Sequence, residues 1–107
     1  MGLTREFKET VVARARRDAK FRDAMFAEAI NAYLAGDTQT GRAMLRDLVN
    51  ATIGFEALSA EVRKPSKSLH RMLSASGNPS MDNLAAIFGA VRKSLKVSLV
   101  VHAKKAA

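Results

Sequence analysis

The sequence has no cysteine, no tryptophan, only two prolines and no long apolar run, and each shortage removes a class of function. Without cysteine there is no disulfide, thiolate nucleophile or thiolate metal site. No stretch of 18 apolar residues reads as a membrane span. The opening MGLTREFKETVV places charges where a secretory signal needs its apolar stretch, so a cytoplasmic location is the expectation. Aromatic residues are five Phe and one Tyr, mostly at core-like positions, which leaves no stacking platform of the RNA-binding kind. Catalytic constellations are missing too. His70 and His102 fall on different elements, the carboxylates are scattered, and neither HExxH nor a Gly-rich phosphate loop occurs. No catalytic activity, cofactor, metal or small-molecule substrate is expected.

What the chain does have is basic charge in one place. Its 107 residues are 48% hydrophobic and 26% charged, enough for one core, and the net charge is +8. Residues 1–36 contribute +2, residues 37–62 contribute −2 and residues 63–107 contribute +8. A segment of this kind attracts polyphosphate by releasing condensed counterions. A solvated tail accounts well for Lys104 and Lys105. It accounts less well for Arg63, Lys64, Lys67 and Arg71, which cluster within nine residues. These cations alternate with a core-forming stripe too short for stable burial at a membrane surface.

Periodicity predicts an all-α chain, a bundle of five to six helices in one compact unit. Thr4 can cap a first helix reaching about Arg16, with Phe7, Val11 and Ala15 on one row. Asp18 can cap a second, from Ala19 to Ala35, ended by Gly36. This helix carries two apolar rows, Phe21-Met25-Ala29-Tyr33 and Phe26-Ile30-Leu34, about 140° apart. So broad a stripe suits a well-buried bundle helix, or one that also meets another chain. Asp37 opens a third helix, about Thr38 to Thr52, with Met44, Leu45, Leu48, Val49 and Thr52 on one face while Arg42, Arg46 and Asn50 project away. Together these elements suggest an N-terminal helical extension over 1–36, a DNA-binding unit over 37–95 and a strand or basic tail over 96–107.

The region from Phe55 to Leu95 carries the functional signal. Phe55, Leu58 and Val62 share one face of a short helix, and Ser59 is the small residue that a close helix crossing requires. Pro65 stops that helix after Arg63-Lys64 and suits the start of the next. In the segment from Ser66 to Leu73 or Ser74, Leu69, Met72 and Leu73 pack inward. At about 100° per residue, Lys67 and Arg71 then point outward with Ser68 and His70 on the shoulders. Arg or Lys favours guanine edges, and Ser hydroxyls can donate or accept. Ser66 can contact DNA or serve only the helix start, and His70 can contact DNA or be structural. Ser80 can cap a last helix in which Leu84, Ile87, Phe88, Val91 and Leu95 share a stripe. After it, Val97, Leu99 and Val101 alternate as in a short C-terminal β-strand, which would pair with an N-terminal segment or a symmetry mate.

The stretch from Leu58 to Leu99 resembles the Cro/repressor-type, lambda-repressor-like helix-turn-helix, including the Asn78-Pro79-Ser80 entry and the closing Val97-Ser98-Leu99. LTREFKETV, YLAGDTQTGRAMLRDLVNATIGFEALSAE and KPSKSLHRMLSASGNP are similar to one branch of it, the addiction-module antidote family, across nearly all of residues 3–98. The resemblance implies a homodimer that binds double-stranded operator DNA, represses its own operon and neutralises a small RelE/ParE-like toxin. Two positions depart from the repressor pattern. Arg63 stands where glycine is common in the turn, so a side chain is expected at positive φ at a cost of about 1 kcal/mol. Phe55 stands where a phosphate-binding glutamine is common, leaving backbone N–H groups, Thr52, Lys64 or Asn78 to position phosphate. The candidate DNA-binding residues are therefore Thr52, Arg63, Lys64, Ser66, Lys67, Ser68, His70, Arg71 and Asn78. A competing expectation is an interaction module that sequesters a toxin and uses the helix-turn-helix only as a scaffold; a third is a stand-alone phage-like repressor.

Overall fold

Local capping chemistry divides the described residues into six helices. A computed structural model describes residues 5–107, with side chains from Thr10 onward. The helices are α1 (Arg5–Arg17), α2 (Ala19–Leu34), α3 (Thr38–Ala51), α4 (Phe55–Val62), α5 (Ser66–Met72) and α6 (Met81–Leu95). The expected Thr4 cap and the Phe7 position lie outside the described residues and side chains.

Three short polar residues start helices by accepting from an otherwise unpaired backbone N–H. Asp18 accepts from Phe21 N at 3.1 Å, Asp37 from Thr40 N at 3.2 Å and Ser80 from Asn83 N at 3.1 Å. Gly36 and Gly54 provide positive φ after α2 and before α4. Arg63 adopts φ 57°, ψ 46°, the left-handed cap expected at the missing glycine, and Lys96 does the same after α6.

One core unites the helices. Phe26, Leu45, Leu48, Leu58, Leu69, Leu73, Ile87, Val49 and Val91 are its largest fully buried side chains. α2 and α1 pack on α3, α4 bridges to α6, and α5 rests on α4. Gly41 permits the α2–α3 approach: a Cβ there would sit 2.7 Å from the Tyr33 ring. Phe88 of α6 meets Phe26 and Tyr33 edge-on, at centroid distances of 6.4 and 5.6 Å.

Two expectations are corrected. Among the described residues there is no strand: residues 97–107 carry no ladder pairing. The alternation is nevertheless physical, because Val97 and Leu99 pack against the core while Ser98 and Val100 face solvent. An extended segment with one buried face needs period two whether or not a neighbouring strand exists. Arg42 and Arg46 also do not simply project away from α3. Both bend onto the end of α5, with consequences described next.

Candidate nucleic-acid interface

α5 has seven residues, too few to be stable as an isolated helix, so its position depends on what holds it. Leu69 and Leu73 are fully buried beneath it, each stabilising by about 1.5–3 kcal/mol through apolar burial. The three residues Arg63, Lys64 and Pro65 connect it to α4. Ser59 fixes this connection. Its carbonyl accepts from the backbone N–H groups of Arg63 and Lys64, and its hydroxyl donates to the Lys64 carbonyl. Ser59 thus does more than allow a close crossing, because its polar atoms set the path of the turn.

The other end of α5 is held by α3. Arg42 Nε donates to the Ser74 carbonyl and its Nη2 to the Ala75 carbonyl, both at 3.1 Å, while Arg46 Nη1 donates to the Leu73 carbonyl at 3.2 Å. The Ser74 hydroxyl donates to the Arg71 carbonyl at 2.7 Å. The carbonyls held by the two arginines are those of the C-cap Leu73 and of the two residues after it, and two guanidinium charges sit where the helix dipole is negative. Gly77 completes the fold-back: its N–H donates to the Ser74 carbonyl at 3.0 Å, and a Cβ there would lie 2.1 Å from the Met72 carbonyl oxygen. Periodicity gave no sign of this clamp, because its partners are 27 to 33 residues apart in sequence.

With both ends pinned, the outward face of α5 is definite. Lys67, His70 and Arg71 are exposed, and Ser66 and Ser68 are half-buried beside them. Arg63 is exposed in the turn and Lys64 is half-buried. Among the described residues, the charged groups of Arg63, Lys64, Lys67 and Arg71 have no acidic or hydrogen-bonding partner. Elsewhere among the described residues, Arg14 pairs with Asp18 at 3.6 Å and Lys93 with Glu61 at 3.0 Å. Four cations without a protein partner on one turn and helix therefore form a concentrated positive surface that attracts anions.

His70 departs from its neighbours. Its ring lies on Phe55, with centroids 3.8 Å apart and planes at 19°. Phe55 thus has a structural partner on α5, and the stack ties the start of α4 to the exposed helix. Ser66 makes no capping bond from its side chain. Thr52 lies apart from α5: its hydroxyl donates to the Leu48 carbonyl at 2.7 Å, and it lines a hollow with Arg22, Ser94 and Lys96. Asn78 is exposed on a different cleft, with Tyr33, Arg42 and Phe88. The structure therefore gathers Arg63, Lys64, Ser66, Lys67, Ser68, His70 and Arg71 on the α4–α5 unit and sets Thr52 and Asn78 outside it.

No described helix is long and apolar enough to cross a membrane. No known protein family, curated protein or solved structure matches the chain.

Proposed function

We propose that this protein is a sequence-specific DNA-binding regulator that acts as a cytoplasmic homodimer on double-stranded operator DNA. Its α4–turn–α5 unit is read as a helix-turn-helix, with α5 as the helix that enters the major groove. The observation that carries the reading is the unpaired, outward-facing set Lys67, Arg71, Arg63 and Lys64 on a helix whose two ends are rigidly held. Lys67 and Arg71 reach guanine edges, Ser66 and Ser68 add adaptable hydroxyls, and Arg63 with Lys64 neutralises phosphate. Rigid mounting serves this use, since base readout requires side chains placed to within a fraction of an ångström.

The biological setting comes from the family resemblance: an antitoxin that represses its own operon and binds a RelE/ParE-like toxin. Co-purification with the product of the adjacent reading frame tests that part. Fluorescence anisotropy against the DNA upstream of the gene tests the regulator itself. The double variant Lys67→Ala/Arg71→Ala is expected to lose specific affinity by at least about 30-fold, two base contacts being worth about 1–3 kcal/mol each. Unchanged affinity in a folded double variant would overturn the reading.

A further inference from the structure

A cleft of about 300 Å³ lies between α2, α3 and the start of α6, at the lower end of the size range of small-molecule sites. Ile30, Leu34, Leu84, Phe88 and the Tyr33 ring give it apolar walls. Asn78 and Pro79, from the connector between α5 and α6, form a further side. Concave, mostly apolar walls with a few polar groups are the usual build of a ligand site.

The polar chemistry of this cleft runs one way. The Tyr33 hydroxyl is buried without a hydrogen-bond partner among the described residues. Burial pushes its phenol above the ordinary value, against the pull of the nearby Arg42 charge, so at neutral pH the hydroxyl keeps a proton to donate. Among the described residues, Arg42 is the one charged residue in the lining. Its Nε and Nη2 hold the Ser74 and Ala75 carbonyls, whereas Nη1 makes no hydrogen bond there or elsewhere among the described residues. A cation and a neutral donor are thus neighbours with no acceptor to share, and a buried hydroxyl left unpaired is costly.

We propose that this cleft binds a compact apolar carboxylate, its hydrocarbon body among Ile30, Leu34, Leu84 and Phe88 and its oxygens on Arg42 Nη1 and the Tyr33 hydroxyl. Charge and polarity select this class. Arg42 repels an amine, and a plain hydrocarbon leaves both donors as unpaired as before. The ligand also acts on α5. It touches α2 on one side and Arg42, Asn78 and Pro79 on the other, so it binds only while the connector is docked. A ligand that binds one state alone raises the population of that state. The clamp stays intact meanwhile, because Nε and Nη2 remain on their carbonyls. Occupancy therefore steadies the C-terminal end of α5, whatever that helix contacts.

Tyr33 is the chain's one tyrosine and there is no tryptophan, so tyrosine fluorescence reports on the cleft without a label. Titration with cyclohexanecarboxylate, which is transparent where tyrosine absorbs, is expected to change it saturably. Cyclohexylmethanol, with the same ring and no charge, binds at least about 10-fold more weakly, as for loss of a hydrogen bond to a charged group. Met81→Glu sets a carboxylate on the lining at a position 76% exposed, so it keeps the helical circular dichroism and weakens the acid by about 10-fold but not the alcohol. Tyr33→Phe, followed by calorimetry, keeps the ring and costs the acid about 10-fold. At ten times its dissociation constant, the acid slows hydrogen exchange in residues 73–78 by about 10-fold. A change that does not saturate, equal binding of the alcohol, or an affinity that Met81→Glu and Tyr33→Phe leave intact would overturn the site. Unchanged exchange at saturation would overturn its action on α5. A doubled mass in sedimentation with no acid bound, the cleft being closed by a second copy, would overturn both.

Discussion

Replacing Arg63 with glycine should make the protein more stable while making it a poorer DNA ligand. Arg63 has φ 57° and ψ 46°, and its side chain is exposed without a partner among the described residues, so truncation removes no hydrogen bond or ion pair. A side chain in the left-handed region costs about 1–2 kcal/mol, of which glycine's extra freedom in the unfolded chain cancels about 0.4–1 kcal/mol. The balance is a gain of about 0.5–1 kcal/mol. With an unfolding entropy near 0.2 kcal/mol/K for a chain of this length, Tm rises by about 2–5 °C. Arg63→Ala keeps the Cβ and the strain and is the control. Lys96→Gly is the second control, because Lys96 has φ 57° and ψ 44° after α6, away from α5. Thermal and urea unfolding followed by far-UV circular dichroism gives both comparisons, with an unchanged m-value as the check on two-state behaviour. In DNA titrations across salt concentration, Arg63→Gly should flatten the log–log slope by about 1, the loss of one phosphate contact, whereas Lys96→Gly leaves it alone. The reasoning fails if Arg63→Gly is no more stable than Arg63→Ala.

The clamp on α5 makes a further prediction: Arg42→Ala should destabilise by about 1.5–3 kcal/mol, the usual value for hydrogen bonds to a charged group, and Arg46→Ala by somewhat less. Hydrogen exchange should show the loss concentrated in residues 66–77. Gly77→Ala forces a Cβ against the backbone at Met72 and should cost about 1–3 kcal/mol, read from the urea midpoint, because a carbonyl of the helix end cannot rotate away as a side chain would. The Phe21 N–H, aided by Arg14, holds the Asp18 carboxyl below its ordinary value. Its contribution is therefore complete above the ordinary carboxylate range and is lost as pH falls through the lowered value. Asp18→Asn retains an acceptor for Phe21 without titrating, so its urea midpoint should decline less steeply with acidification than that of the wild type.

Helix boundaries were legible where one residue does local work. Asp18, Asp37 and Ser80 cap, Gly36 and Gly54 turn, and the missing glycine at position 63 predicts a strained arginine, which is observed. The outward position of Lys67 and Arg71 was legible for the same reason, since Leu69 and Leu73 fix the inward side of so short a helix. Contacts between distant segments were not. On a helical wheel Arg42 and Arg46 read as a solvated face, and only the three-dimensional return of residues 73–75 gives their charges carbonyls to hold. The Phe55–His70 stack is hidden likewise, joining the first residue of one helix to the fifth of the next. The terminal alternation leaves a short strand possible in the sequence, because period two reports one-sided burial; it does not report the presence of a neighbour.

The central claim is that α5 presents Lys67 and Arg71 to base edges in the major groove. Methylation interference at guanine N7 on the upstream DNA measures that contact most directly, because N7 faces the major groove. The account predicts a few guanines in two patches one helical turn apart whose methylation blocks binding, with sensitivity lost at specific guanines in Lys67→Ala or Arg71→Ala. Binding indifferent to N7 methylation, or a pattern that neither substitution alters, would contradict it.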